Sequence, residues 1–160
     1  MSEQNHYIEM MLKSLQKKLD VLDGILKACE EQAVLIAEET VDWKAFDELV
    51  DNKQLLIDEL TKLDEGFTDI YERMKPELLQ DKERYRQEII QLQEFIKQIT
   101  DKSVRIQTEE ERNRKAVEKS FKRTQRDIKN SKASIKAASD YYKVMSKVNY
   151  VDPQFMDRKK

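Results

Sequence analysis

The sequence predicts an all-α protein in which an antiparallel helical hairpin is followed by a very long third helix, forming a coiled-coil-like rod or bundle. Charged and hydrophobic residues each make up 39% of the chain, which has only two glycines and two prolines. This balance is typical of long helices rather than of a turn-rich globule. Apolar residues recur at alternating spacings of three and four, the pattern of helices that pack along a narrow stripe.

We predict a single domain that covers residues 1–160. Its first helix is predicted from about residue 5 to about residue 39. Cys29 occupies a position in its apolar stripe where a small side chain fits, so we expect a buried core residue rather than a reactive thiol. The stripe steps by four and three through Ile8, Leu12, Leu15, Leu19, Leu22, Leu26, Cys29, Ala33 and Ile36.

The second helix is predicted from about residue 42 to about residue 74. Asp42 is a good N-cap because its carboxylate can accept free backbone N–H groups of the first turn. A connection as short as Thr40, Val41 and Asp42 forces the first two helices to run antiparallel. Lys53 falls on the apolar stripe, and we expect its stem to lie along the seam with its ammonium group in water.

The third helix is predicted from Pro76, since proline suits the first turn of a helix, to about residue 148, and a tail follows at residues 149–160. Its stripe is apolar up to Ile99 and then becomes polar at Ser103, Glu110 and Asn113. The run Glu109-Glu110-Glu111-Arg112-Asn113-Arg114 is predicted to be a solvated face or a weak point. This helix is almost twice as long as the others. Its second half must therefore project, bend back or find a partner.

A second, thinner stripe begins at Val117, after an extra four-residue step of the kind that locally unwinds a coiled coil. Small and polar members weaken it as a seam, but it suits the binding of an amphipathic helix. Its members are Val117, Phe121, Thr124, Ile128, Ser131, Ile135, Ala138, Tyr142 and Met145.

Charge is unevenly distributed although the whole chain is near neutral. Residues 30–73 carry fourteen acids and four bases, about −10, whereas residues 112–136 carry ten bases and two acids, about +8. Mutual attraction of these regions within the rod is the simplest interpretation. The alternatives are an acidic protein partner for the basic stretch or, least favoured, a nucleic acid.

The sequence offers no constellation for catalysis. His6 is the only histidine, Cys29 is the only cysteine, and two isolated glycines cannot form a phosphate-binding loop. We therefore expect a protein that is not an enzyme and has no cofactor, metal site or small-molecule substrate. The N-terminus has no secretory signal, no apolar run is long enough for membrane insertion, and a single cysteine fits a reducing compartment, which together indicate the cytoplasm.

Four segments resemble the flagellar type III export chaperones of the FlgN type. The first is Thr40-Val41-Asp42 before the leucine- and lysine-containing run of the second helix. The others are Glu111-Arg112-Asn113-Arg114, then Ala138-Ser139-Asp140-Tyr141-Tyr142, and the ending from Asp152 to Lys160. Lys143 follows Tyr142 where the family has a Tyr-Gly pair, so either tyrosine is a candidate for the family's conserved position.

The resemblance implies a cytoplasmic chaperone without enzymatic activity. Such proteins bind C-terminal helical segments of the hook–filament junction proteins, also called hook-associated proteins, prevent their early assembly and deliver them to the membrane export gate. The resemblance assigns gate contact to Tyr141 or Tyr142. It assigns cargo contact to Val117, Phe121, Thr124, Ile128, Ile135 and Ala138.

Two other functions remain open from the sequence. The chain could be a self-associating coiled-coil scaffold, in which a second copy fills the thin stripe and Asn113 sets the register of a homodimer. It could also be a basic-helix nucleic-acid binder, which would show steep salt dependence.

Overall fold

The computed structural model describes residues 3–123, which form three helices and no strand. Helix α1 spans Glu3–Ile36, α2 spans Trp43–Gln80 and α3 spans Arg86–Arg123. The predicted all-α class is confirmed. The predicted continuation of the third helix to residue 148 and the tail at residues 149–160 lie outside the described residues.

Helices α1 and α2 form the predicted antiparallel hairpin. The carboxylate of Asp42 accepts a hydrogen bond from the backbone N–H of Ala45 at 3.0 Å, which confirms the N-cap. Farther along the pair, the Lys18 ammonium lies 2.7 Å from the Asp64 carboxylate. Sequence separation grows away from the connection, as it must in an antiparallel pair.

The predicted boundary at Pro76 is wrong. Pro76 lies inside α2, which continues to Gln80, and α3 begins at Arg86. A proline inside a helix leaves the carbonyl four residues earlier, here that of Glu72, without its usual donor. Both Glu72 and Pro76 are exposed, so water can hydrate that carbonyl and the helix continues.

The α2–α3 connection is held by Tyr85, whose side chain is only 2% exposed. Its hydroxyl donates to Glu77 Oε2 at 2.9 Å, which ties the start of α3 to the last turns of α2. Burial, with this hydrogen bond, raises the pKa of the Tyr85 hydroxyl, so it remains a donor at neutral pH.

Helix α1 is the central element because it packs against both α2 and α3. Its buried surface is consequently wider than the predicted seam and includes Met11, Ile25 and Ala28. Helix α3 runs parallel to α1, since Asp23 of α1 pairs with Lys102 and Glu30 pairs with Arg105. The three helices therefore form an up–down–up bundle.

The core has a large apolar part and a smaller cluster at the end where α1 meets α2. The smaller cluster consists of Ile36, Phe46, Val50 and Val117. The buried positions of α3 continue to step by four and three through Ser120, so the predicted extra step at Val117 is absent. Those positions are Leu92, Ile96, Ile99, Ser103, Ile106, Glu110, Asn113, Val117 and Ser120.

Candidate functional site

Five buried polar side chains from all three helices form one layer of the bundle, which we call the polar layer. Helix α1 contributes Cys29 and Gln32, α2 contributes Lys53, and α3 contributes Glu110 and Asn113. Each side chain is at most 3% exposed. All of them occupy core-facing positions between apolar neighbours, so the layer is part of the core.

An ion pair between Lys53 and Glu110 is the centre of the polar layer. The Lys53 ammonium lies 2.6 Å from Glu110 Oε1 and also donates to the side-chain oxygen of Gln32. The Cys29 thiol donates to the same Glu110 oxygen at 2.7 Å. The carboxylate thus links α3 to α1 and α2, because one oxygen accepts from both.

Two amide side chains connect the layer to backbone carbonyls. Asn113 Nδ2 donates to the carbonyl of Cys29 at 3.0 Å, and Gln32 Nε2 donates to that of Phe46 at 3.5 Å. A sideways or axial shift of α3 would break the first bond, and a shift of α2 would break the second. The layer therefore fixes the positions of the helices relative to one another along the bundle axis.

Burial dominates the protonation chemistry of the layer. It raises the pKa of the Glu110 carboxyl group, while the Lys53 ammonium and the hydrogen bonds act in the opposite direction. Burial also raises the pKa of the Cys29 thiol far above its usual range. Because the thiolate is the reactive form, Cys29 is an inert thiol at neutral pH.

The layer is suited to structure rather than to chemistry. Its thiol is protonated and its lysine is engaged with Glu110 and Gln32. Glu110 Oε2 is buried without a hydrogen-bond partner among the described residues. Within residues 3–123, no three His, Cys, Asp or Glu side chains are grouped so as to hold a metal ion.

The sequence located these residues on the seams but misjudged their surroundings. Cys29 is buried as predicted. The expectation that the Lys53 ammonium lies in water is wrong, as is the expectation of a solvated face at Glu110. The signal that could have revealed the layer was a lysine and a glutamate on core positions of different helices.

The predicted cargo residues divide between the bundle and the rest of the chain. Val117 is 5% exposed and packs against Ile36, Phe46 and Val50, whereas Phe121 is half-buried near the last described residue of α3. The other predicted cargo and gate residues lie outside the described residues. They are Thr124, Ile128, Ile135, Ala138, Tyr141 and Tyr142.

Two arginines of the basic stretch form ion pairs within their own helix. Arg112 contacts Glu109, and Arg114 contacts Glu111 and Glu118. The ion pairs of Arg112 and Arg114 thus do not provide the predicted attraction between residues 112–136 and residues 30–73. Between α1 and α3 the ion pairs involve bases from an earlier part of α3, Lys102 and Arg105.

An open groove runs between the outer faces of α1 and α2 near their connection. Its volume is about 590 Å³, and its lining includes the apolar Val34, Leu35 and Leu49 and the acids Glu31 and Glu48. Within the described part of the chain, no helix has the length and apolar character needed to cross a membrane.

The chain matches the model of a known protein family. The family described as FlgN protein matches residues 1–144, which include the three described helices and the thin stripe as far as Tyr142. No curated protein and no solved structure matches the chain.

Proposed function

The chain belongs to the FlgN family of flagellar export chaperones, and from that premise we propose that it is a cytoplasmic chaperone for hook–filament junction proteins. It binds their C-terminal helical segments, prevents premature assembly and delivers them to the type III export gate. The match over residues 1–144 carries the proposal, because it includes the segments assigned to cargo and gate. The family is one of chaperones rather than enzymes.

The packing of the bundle supports a division of the predicted cargo residues into one that packs in the core and others that bind cargo. Val117 packs in the core against Ile36, Phe46 and Val50. Phe121 is half-buried beside the last buried position, Ser120. We therefore assign cargo contact to Phe121 and the stripe residues beyond it, and leave Val117 to the bundle. The assigned residues are Phe121, Thr124, Ile128, Ile135 and Ala138.

The physical basis is completion of a half-filled apolar stripe by a cargo helix. Each Leu- or Ile-sized side chain buried in the contact contributes about 1.5–3 kcal/mol. Lost translational freedom and side-chain ordering offset part of this gain. A few such contacts suffice for micromolar binding, which corresponds to about −8 kcal/mol.

Delivery to the export gate, the second part of the proposed function, is assigned to two tyrosines. Tyr141 and Tyr142 lie beyond the cargo stripe and are assigned to the export gate. A Tyr141→Ala/Tyr142→Ala variant should bind cargo peptide like the unchanged chain but deliver less cargo for secretion. Equal secretion by both chains would remove the gate assignment without affecting the cargo assignment.

Calorimetric titration with C-terminal peptides of hook–filament junction proteins tests cargo binding. The informative variant is Ile128→Asp/Ile135→Asp in the full chain, which puts two charges on the stripe. Its matched control is Ala133→Asp/Ala137→Asp, which puts the same charges in the same segment on the opposite side of a helix. We expect micromolar or tighter binding that is lost in the first variant and kept in the second.

Absence of binding to every junction-protein peptide would contradict the cargo proposal. If the chain instead formed a tight dimer that Ile128→Asp/Ile135→Asp dissociates, the self-associating scaffold would replace it. Asn113 gives that alternative no support, because its amide is bonded to Cys29 within the bundle.

A further inference from the structure

We propose that the groove between α1 and α2 near their connection is a docking site for a basic amphipathic helix of a second protein. The ligand helix has apolar side chains on one face and lysine or arginine side chains beside them. The groove shares no residue with the proposed cargo stripe. Its occupation therefore goes beyond the proposed function and does not depend on it.

The groove leaves apolar side chains in contact with water. Val34 is 66% exposed, and Leu35 and Leu49 are half-buried. All the residues that line the groove belong to α1 and α2, and the side chains of these helices that pack with Val117 of α3 are different ones. A ligand can therefore cover the groove without displacing α3.

The dimensions of the groove suit a short helix. Its lining on α2 runs from Ala45 to Asn52, seven residues, or about 10.5 Å along the helix axis. Apolar residues at positions i, i+4 and i+7 of a ligand helix span the same distance. Beyond the groove, a Cβ added at Gly24 would lie 3.3 Å from Leu56 Cδ1, so α1 and α2 lie close together there. An amphipathic helix laid into a groove between helices is a common mode of peptide recognition.

The acids that line the groove are not neutralised by the bundle. Glu31 and Glu48 are both exposed, and neither takes part in any of the ion pairs found among residues 3–123. Residues 27–52, which include the whole lining, carry eight acids and two bases, about −6. The two bases, Lys27 and Lys44, are each four residues before one of these acids and form no ion pair with it. Charge complementarity therefore favours a basic ligand.

A second copy of the described bundle does not supply such a ligand. Within residues 3–123, the exposed large apolar side chains of any one helix are at least fourteen residues apart, which is about 21 Å. No exposed face of these helices therefore repeats apolar side chains at the spacing that the groove requires. This argument favours a helix from a different protein.

Fluorescence anisotropy of a labelled peptide, titrated with the full-length chain at about 0.15 M salt, tests the docking site. The probe is a peptide of about 18 residues built of alanine and lysine, a length at which alanine-rich helices form in water. Leucines spaced alternately by four and three give it one apolar face. A peptide with the same composition in scrambled order is the control, because it keeps the charge and has no apolar face.

Two variants of the chain separate the apolar and the charged contributions. Val34→Asp puts a charge into the groove, and Val104→Asp is its control, because Val104 is 55% exposed on α3. Glu31→Lys/Glu48→Lys reverses the acids that line the groove. Its control is Glu65→Lys/Asp69→Lys, which makes the same change of charge at exposed positions of α2 outside the groove. Circular dichroism checks that all four variants keep their helix content.

We expect the amphipathic peptide to bind saturably and the scrambled peptide to bind at least about tenfold more weakly. Val34→Asp and Glu31→Lys/Glu48→Lys should each raise the Kd of the amphipathic peptide about tenfold, which corresponds to about 1.4 kcal/mol. The two control variants should change that Kd by less than about twofold.

Absence of binding by the amphipathic peptide, or an unchanged Kd in Val34→Asp, would overturn the proposal. A dimer of the chain that Val34→Asp dissociates would assign the groove to a second copy and overturn it too. The assay contains no junction-protein segment, so its failure would leave the cargo proposal intact.

Discussion

The apolar end of the bundle, toward the N-terminus of α1, and the polar layer use the same helical spacing with opposite chemistry. Toward the N-terminus of α1, core positions are filled by apolar side chains such as Leu22, Met74 and Leu92. Cys29, seven residues after Leu22 on the same face of α1, belongs to the polar layer, where Lys53 pairs with Glu110. Spacing thus determines which residues face the core. Their side-chain chemistry determines whether a core contact is non-directional or requires one specific alignment of the helices.

The apolar end supplies stability that depends little on the relative height of the helices. Hydrophobic burial is non-directional and scales with the area removed from water. The polar layer depends on direction, because its buried charges are tolerable only when they meet. We infer that the apolar end drives association of the helices and that the layer selects one register.

Removing one charge from the polar layer should have the largest effect. Lys53→Met leaves the Glu110 carboxylate buried without its cation and should lower the free energy of unfolding by about 3–5 kcal/mol. Urea denaturation followed by circular dichroism measures the loss. Lys62→Met, on the exposed face of the same helix, should change stability by less than about 0.5 kcal/mol.

The double variant Lys53→Met/Glu110→Leu sharpens this comparison, because it removes both buried charges and fills the space with apolar atoms. It should recover most of the loss, as replacement of a buried ion pair by apolar residues is often neutral or stabilising. A double variant as unstable as Lys53→Met would show that the pair itself provides net stability.

A cavity at the apolar end should lower the free energy of unfolding somewhat less than removing one charge from the polar layer. This loss cannot be recovered by removing a second charge. Leu22 is fully buried, so Leu22→Ala should lower the free energy of unfolding by about 2–5 kcal/mol. Leu55→Ala is the control, since Leu55 is 69% exposed. Similar stabilities for these two variants in urea would contradict the assignment of Leu22 to the core.

The pH dependence of stability should report the burial of Glu110, with a smaller effect. Its folded-state pKa is raised above the ordinary value of 4.5, so the folded chain keeps this proton at a pH where the unfolded chain has lost it. The wild-type chain should therefore lose stability relative to Glu110→Gln as the pH rises above 4.5 toward the folded-state pKa. Urea denaturation of both chains across the acidic to neutral range measures the difference.

The opposite trend would contradict this assignment. If the wild-type chain gained stability relative to Glu110→Gln as the pH rose, attraction to Lys53 would outweigh burial and the folded-state pKa would lie below 4.5. Comparing the two chains cancels the titration of the exposed carboxylates, which both chains share.

The three helices of residues 3–123, the antiparallel hairpin and the Asp42 cap could be predicted because each depends on residues close together in sequence. The end of α2 could not be, because Pro76 is tolerated where an exposed turn lets water replace the lost hydrogen bond. The polar layer depends on how three helices align across more than eighty residues, from Cys29 to Asn113. A single sequence shows polar residues on a seam but not the partners that make their burial tolerable.

Secretion of hook–filament junction proteins is the most direct test of the central claim that the chain is their export chaperone. It should be measured in cells whose only copy of this protein is Ile128→Asp/Ile135→Asp, or Ala133→Asp/Ala137→Asp as the control. We predict that the first variant lowers junction-protein secretion while other flagellar export continues, and that the control secretes normally. Normal junction-protein secretion in both strains, with both variants present at equal levels, would contradict the claim.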